Sequence, residues 1–345
     1  MRLNTLLQAA AVAVTAVSVS PPTIAQAAPA LQGTTLTVAY QDPAFPALVE
    51  KSGVLNGSPY KVDWVLLTGP AANLSALYAG RVDLGHMGDT SLTIEQANAR
   101  TEWTADTIPL RIVAGWRNAY SKDFPPLITA VRSDTKITSP QQIKGHKVGY
   151  NYGGYNHAQY LATLVQAGLT EKDIEPIKFN DGATSAAAFN SGQVEVYAGG
   201  LAPVLSTIRS GAGHILLTDR ETAIPALGVW TATSSVLKDP TKTAALQDFF
   251  GKLSGYWPWH EAHRDEVLAV LKDKLKISDE RAAFEYQIRS GSFIAFTPEL
   301  IAQEQKIADI LHEGKAIRKQ VNVAVEYDTT FNQAQKAIWP VPAKP

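Results

Sequence analysis

The chain contains no cysteine. That excludes a thiol nucleophile, a thiolate metal site and a disulfide, and leaves the redox compartment open. Neither sign of charge dominates, with 31 Lys and Arg against 32 Asp and Glu, so nothing in the charge balance recommends a nucleic acid or a membrane surface as partner. Beyond the N-terminal segment no apolar run approaches the ~18 residues of a membrane-spanning helix. Catalytic signatures are missing as well: there is no GxSxG elbow, P-loop, GxGxxG or HExxH. What remains is the composition of a soluble globular protein, 345 residues with 45% hydrophobic and 18% charged side chains. That length accommodates two lobes of ordinary domain size.

The N-terminus carries the compartment signal. Arg2 is a positive n-region, Leu6 to Val19 is apolar and uncharged, Pro21-Pro22 break it, and Ala25-Gln26-Ala27 has the small-x-small form of a signal-peptidase site. Residues 1–27 are therefore expected to be a signal peptide and the mature protein to start near Ala28. With no cysteine after the cleavage region, a lipid anchor is not expected.

The most informative feature present is an internal repeat. VDWVLLTGPAANLSALYAGRVDLGHMGD from Val62 aligns without a gap to IEPIKFNDGATSAAAFNSGQVEVYAGGL from Ile174. Each copy reads as strand, Gly loop, helix, Gly stop, strand. Around the first copy, strands are expected at Leu36 to Tyr40, Tyr60 to Leu67, Val82 to Met87 and Arg111 to Trp116, alternating with helices, as in a mainly parallel sheet. The pattern restarts at Pro126 to Val131 and runs through His146 to Tyr150, the second copy and His214 to Leu217. Leu227 to Ala232 reads as a strand returning to the first lobe, and from Pro240 the chain reads as almost wholly helical. The expected architecture is two α/β lobes crossed twice by the chain, near Leu127 to Arg132 and Gly228 to Ala232, which makes a hinge. The lobes are assigned to 28–128 with 229–345, and to 129–228.

Several segments resemble a known family. Gly69-Pro70, ALYAGRVDLG (76–85) and Gly88-Asp89 resemble the periplasmic substrate-binding proteins of ABC importers, and within them the aliphatic sulfonate, taurine and nitrate group. IKGHKVG (143–149), GGYNHAQYLATLVQAGL from Gly153 and AAAFNSGQVEVY resemble that group's second-lobe segments. The similarity runs from about Leu36 to about Trp230. It implies an α/β, two-lobe periplasmic-binding-protein-like (type II) fold with two hinge-crossing strands and a helical C-terminal tail. It also implies a periplasmic protein without catalytic residues or cofactor, a small organic anion as ligand, an aliphatic sulfonate first of all, and permease subunits as partners, the protein itself being a monomer. Two departures stand out. Gly153-Gly154 replaces the group's Gly-Ser or Gly-Thr, and Gly199-Gly200-Leu201-Ala202-Pro203 replaces a Trp-Asp-Pro-like segment, which together imply a bulkier ligand.

In such sheets ligands meet the loops at the carboxyl ends of strands. The candidate ligand-binding residues are Gln41; Thr68, Gly69 and Pro70; Gly88, Asp89 and Thr90; Trp116 and Arg117; Gly153, Gly154, Tyr155, Asn156 and His157; Asp181; and Gly200. The loops after Leu67 and Tyr152 open directly into helices, whose free N–H groups and partial positive charge suit sulfonate, nitrate or carboxylate. Arg117 would pair with the anion bidentately. Trp116 and Tyr155 would line the apolar part, and Asn156 and His157 would donate hydrogen bonds. Asp89 would repel an anion unless it caps the following helix or meets a ligand amine; the cap is expected. His260 and His263 stand three apart, but no third ligand accompanies them, so no metal is assigned.

Two rival readings use the same fold. Desulfinases and pyrimidine-synthesis enzymes resemble these binding proteins but rely on cysteine, which this chain lacks. A ligand-sensing partner for a membrane receptor would use the same cleft. The expected mechanism is capture by closure: the anion binds at the first lobe and the second lobe closes over it.

Overall fold

The computed structural model describes residues 31–120 and 123–334, so the signal-peptide assignment to 1–27 lies outside the described residues. The strands in chain order are β1 (Thr35–Tyr40), β2 (Lys61–Leu66), β3 (Leu84–Gly88), β4 (Leu110–Asn118), β5 (Leu127–Arg132) and β6 (Lys147–Asn151). They continue as β7 (Glu175–Phe179), β8 (Val196–Gly200), β9 (Gly213–Thr218), β10 (Gly228–Thr233) and β11 (Gly291–Phe293). They form two sheets, ordered β11-β4-β10-β3-β1-β2 and β7-β6-β8-β5-β9. The chain passes from one sheet to the other between Asn118 and Leu127, and back between Thr218 and Gly228.

The sequence repeat is a repeat of structure. Helix Pro70–Tyr78 and helix Gly182–Asn190 occupy aligned positions, as do β3 and β8. Apart from β11, the sheets correspond strand for strand. β1 pairs in parallel with β2 and β3, as β6 does with β7 and β8. β10 runs antiparallel between β3 and β4, as β5 runs antiparallel between β8 and β9. Each of these two central strands comes straight from a crossing, so the first strand after either crossing takes the same place in its sheet. Both carry a register shift, at Trp230/Thr231 and at Thr129/Ala130.

Most strands of each sheet run the same way, as expected, but β10 and β11 in the first and β5 in the second run against them, so both sheets are mixed. A strand delivered by a βαβ crossover lies parallel to its neighbour, but one that enters from the other half of the molecule is free of that constraint and runs the opposite way. Antiparallel insertion also explains their composition. GVWTAT of β10 is buried throughout, as is LITAV of β5, so these strands read as continuous apolar runs rather than alternating ones. Trp230 lies at the centre of the first core, fully buried among Tyr40, Phe45, Phe250 and Phe293.

The C-terminal region supplies helices Pro240–Leu253, Tyr256–Ala262, Arg264–Leu275, Asp279–Arg289 and Pro298–Glu313. It is not wholly helical, because β11 adds to the free edge of β4. The helix expected at Ala244 to His260 is broken at Ser254-Gly255. That break turns Tyr256 and Trp257 toward the sheet, and both are buried.

Candidate functional site

The carboxyl ends of the parallel strands of both sheets face each other across two adjoining chambers. The smaller, about 80 Å³, is polar and is lined by Gln41, Pro70, Gly88, Asn151, Asn156 and Gly182, with Gly153 and Tyr155. Helices Pro70–Tyr78, Tyr155–Ala167 and Gly182–Asn190 all begin at its walls. The first N–H groups of a helix have no acceptor within the helix, so three helix starts give this chamber a positive cast without a lysine or arginine on its wall.

Glycines bring the walls together. Gly88 has no side chain where a Cβ would stand 2.4 Å from Cδ1 of Tyr155, and Gly154 approaches Pro70, Ser91 and the N–H of Gly88. Gly154 has φ +74°, as the turn into its helix demands, which other residues adopt only with strain. Asn156 donates Nδ2 to Asn151 Oδ1 at 2.6 Å, while its own Oδ1 is buried without a hydrogen-bond partner.

The larger chamber, about 260 Å³, shares Gln41 and Tyr155 with the first. Its aromatic wall consists of Tyr40, Phe45, Trp116, Tyr155, Tyr256 and Trp257. Tyr40 stacks on Phe45 at 4.3 Å and on His86 at 4.2 Å, giving a continuous row of flat rings. His86 is kept neutral, since burial lowers its pKa to about 3. Its Nε2 lies 3.4 Å from the indole N–H of Trp116 and accepts from it, which places the imidazole proton on Nδ1.

The chamber's one positive side chain is Arg289. Its Nε donates to Glu285 at 3.1 Å and its Nη1 to Asp42 at 3.2 Å, while 17% of the side chain still reaches the cleft. Burial alone would lower the pKa of this guanidinium, but the carboxylates of Asp42 and Glu285 outweigh it and raise the value well above normal. Asp42 also accepts from the N–H groups of Ala44 and Phe45 at the start of helix Ala44–Ser52, and Glu285 receives Arg281 at 3.3 Å. Every charge here is therefore already answered by another.

The structure brings Gln41, Pro70, Gly88, Trp116, Gly153, Tyr155, Asn156 and Gly200 onto the chamber walls. Gly69 and Gly154 stand just behind, at contacts between the two halves; a Cβ on Gly69 would meet the carbonyl of Asn180 at 2.5 Å. Asp181 caps its own helix by accepting from the Thr184 N–H. Thr68 is exposed.

Other candidates face elsewhere. His157 is buried against Tyr150 and accepts from the Gly153 N–H, and burial lowers its pKa to about 4. Asp89 does not cap the following helix. Its carboxylate accepts from the N–H groups of Leu227 at 2.7 Å and of Thr90 at 2.8 Å, fastening the second crossing to β3. Burial raises its pKa to about 6, against the opposing pull of those bonds and of Arg117. Arg117 thus acts on Asp89 and Glu304 rather than on the chambers, and Thr90 is buried beside them. His260 is fully buried and stacks on Tyr286, whereas His263 packs on Trp259. Among the described residues no cluster of three His, Cys, Asp or Glu is placed to hold a metal.

Sequence reasoning missed Arg289, Glu285, Tyr256 and Trp257, all from the C-terminal helices, and Tyr40, Phe45 and His86, which read as core. No motif marks them. The one available signal was a polar-rimmed aromatic segment, GYWPWHEAH, too aromatic for a surface helix.

Comparison with known proteins now adds to this geometry. Residues 119–214 match the model of the family described as NMT1/THI5 like. The putative aliphatic sulfonates-binding protein of Escherichia coli (strain K12) is 25% identical over 296 residues, covering 84% of this chain and 86% of that one. The alkanesulfonate-binding protein SsuA of Xanthomonas axonopodis pv. citri, solved bound to MOPS, superposes with a TM-score of 0.72 at 20% identity, over 86% of this chain and 99% of that one. The chain thus has the fold of the SsuA sulfonate-binding proteins and is similar in sequence to one of their curated relatives. The chain also shares its fold with the desulfurization enzyme DSZB, at a TM-score of 0.57 and 14% identity over 88% of this chain and 99% of the enzyme, so the fold by itself does not separate binding from catalysis.

Proposed function

We propose that this protein is the solute-binding component of an ABC importer, capturing a small organic sulfonate between its two sheets and handing it to the permease. The observation that carries the reading is the pair of adjoining chambers. The polar one is the size of a compact anionic head and is met by three helix starts, and the aromatic one next to it receives the organic body. Such a head needs no full cation. Unlike a free guanidinium, helix N–H groups bind it without admitting any anion that offers charge alone.

The lobes proposed are 28–128 with 229–345, and 129–228, closing about the two crossings. The relatives are periplasmic, and residues 1–27 are proposed as the export signal. The mature protein is proposed to be a monomer that carries out no catalysis, its work being binding, closure and release.

Isothermal titration of the mature protein with alkyl- and arylsulfonates, carboxylates of the same bodies, and nitrate tests this. Saturating sulfonate should bind tightly and, at a hundredfold its dissociation constant, stabilise by about 2.7 kcal/mol in a melt. Preference for the carboxylates, or for cations, would overturn the assignment of the polar chamber.

A further inference from the structure

Resting on the sulfonate reading, we infer that the organic body of the ligand is a flat aromatic ring bearing no second charge, so that this protein is an arylsulfonate binder rather than an alkanesulfonate binder. Three observations lead there. The body chamber is walled by aromatic rings contributed by both halves: the row His86, Tyr40 and Phe45 and the pair Trp116 and Trp257 from one, Tyr155 from the other. Aliphatic side chains are a minor part of that wall, with Ile288 the largest among them. Aromatic walls favour a ring that meets them edge to face or offset face to face. A saturated ring of equal volume gains the burial but not the quadrupole term. An alkyl chain, moreover, must give up rotamer freedom that a rigid ring does not have.

The second observation is the state of Arg289. Its Nε and Nη1 are held by Glu285 and Asp42, and Glu285 is held again by Arg281. The guanidinium is thus fixed in one plane at the chamber wall, suited to lie against an arene. It is not available as an unpaired cation for a second anionic group, which would instead meet the two carboxylates. Third, the ring-bearing chamber adjoins the polar one, Gln41 and Tyr155 lining both, so a ligand reaching into the two needs no long spacer between head and ring.

The test compares benzenesulfonate, cyclohexanesulfonate and hexanesulfonate by titration calorimetry on the mature protein. The first two differ in aromaticity at nearly constant size. Benzenesulfonate is expected to bind about tenfold more tightly than cyclohexanesulfonate, and benzene-1,3-disulfonate at least tenfold more weakly than benzenesulfonate. In Trp116→Leu the ratio between the two rings should fall toward one. Equal or tighter binding of cyclohexanesulfonate to the parent protein overturns the aromatic assignment and leaves the sulfonate reading intact. Failure of every sulfonate to bind overturns that reading and this inference with it.

Discussion

Glu326 is fully buried, accepts a hydrogen bond from Thr93 Oγ1 at 3.0 Å on one oxygen, and has no partner for the other. Burial raises its pKa well above 4.5. Glu304, close by and equally enclosed, is raised by burial first and then by the charges of Asp89 and Glu326. A carboxyl raised in the folded state binds its proton there while the unfolded chain has already released it. Stability is then present below the unfolded value and is lost as pH rises toward the folded one. The buried imidazoles His86, His157 and His260, all lowered by burial, act oppositely: they remove stability as pH falls below about 6.5. Comparing a variant with its parent cancels the histidines. Glu326→Gln should therefore be more stable than the parent at pH 8, with the gap narrowing as the pH falls toward 5. Urea unfolding of both proteins across that range checks it; a gap independent of pH would mean that Glu326 ionises in the fold at its ordinary value.

At the scale of elements, the contact between β3 and helix Tyr155–Ala167 decides whether the halves can meet. Gly88 is not at positive φ, so alanine there strains no backbone, but its Cβ would fall 2.6 Å from the N–H nitrogen of Tyr155. Overpacking of this kind costs about 1–3 kcal/mol, and here the cost falls on closure. Gly88→Ala should weaken ligand binding about tenfold or more by calorimetry, with the unliganded melting temperature changed by no more than a degree or two. A large loss of thermal stability with unchanged affinity would place the contact in the fold rather than in closure. The elements were the most legible part of the sequence. The repeat placed both helix-strand units, because apolar periodicity and Gly stops are local signals. Strand direction was not legible in β5 and β10, whose apolar runs carry no mark of how they enter a sheet. β11 was missed because three residues are too short for a period. In the site, loops at strand ends were found by rule, whereas Arg289 and Trp257 reach the cleft only through the packing of distant helices, which one-dimensional spacing does not encode.

For the whole molecule, the order of strands has a consequence for how the protein is made. The second sheet is drawn from one continuous stretch, β5 to β9, while the first needs β1 from one end of the chain and β10 and β11 from far along it. A chain emerging N-terminus first would therefore present β1 to β4 with no strand to fill the gap between β3 and β4, and complete its second half before its first. In pulsed hydrogen exchange during refolding, amides of β6 and β8 should gain protection before those of β3 and β4; simultaneous protection would show that the halves form as one cooperative unit. Arg289, near the end of this order, closes the wall of the aromatic chamber. A nascent or truncated protein that lacks it has no finished cleft, so the aromatic wall exists only once the last helices have packed.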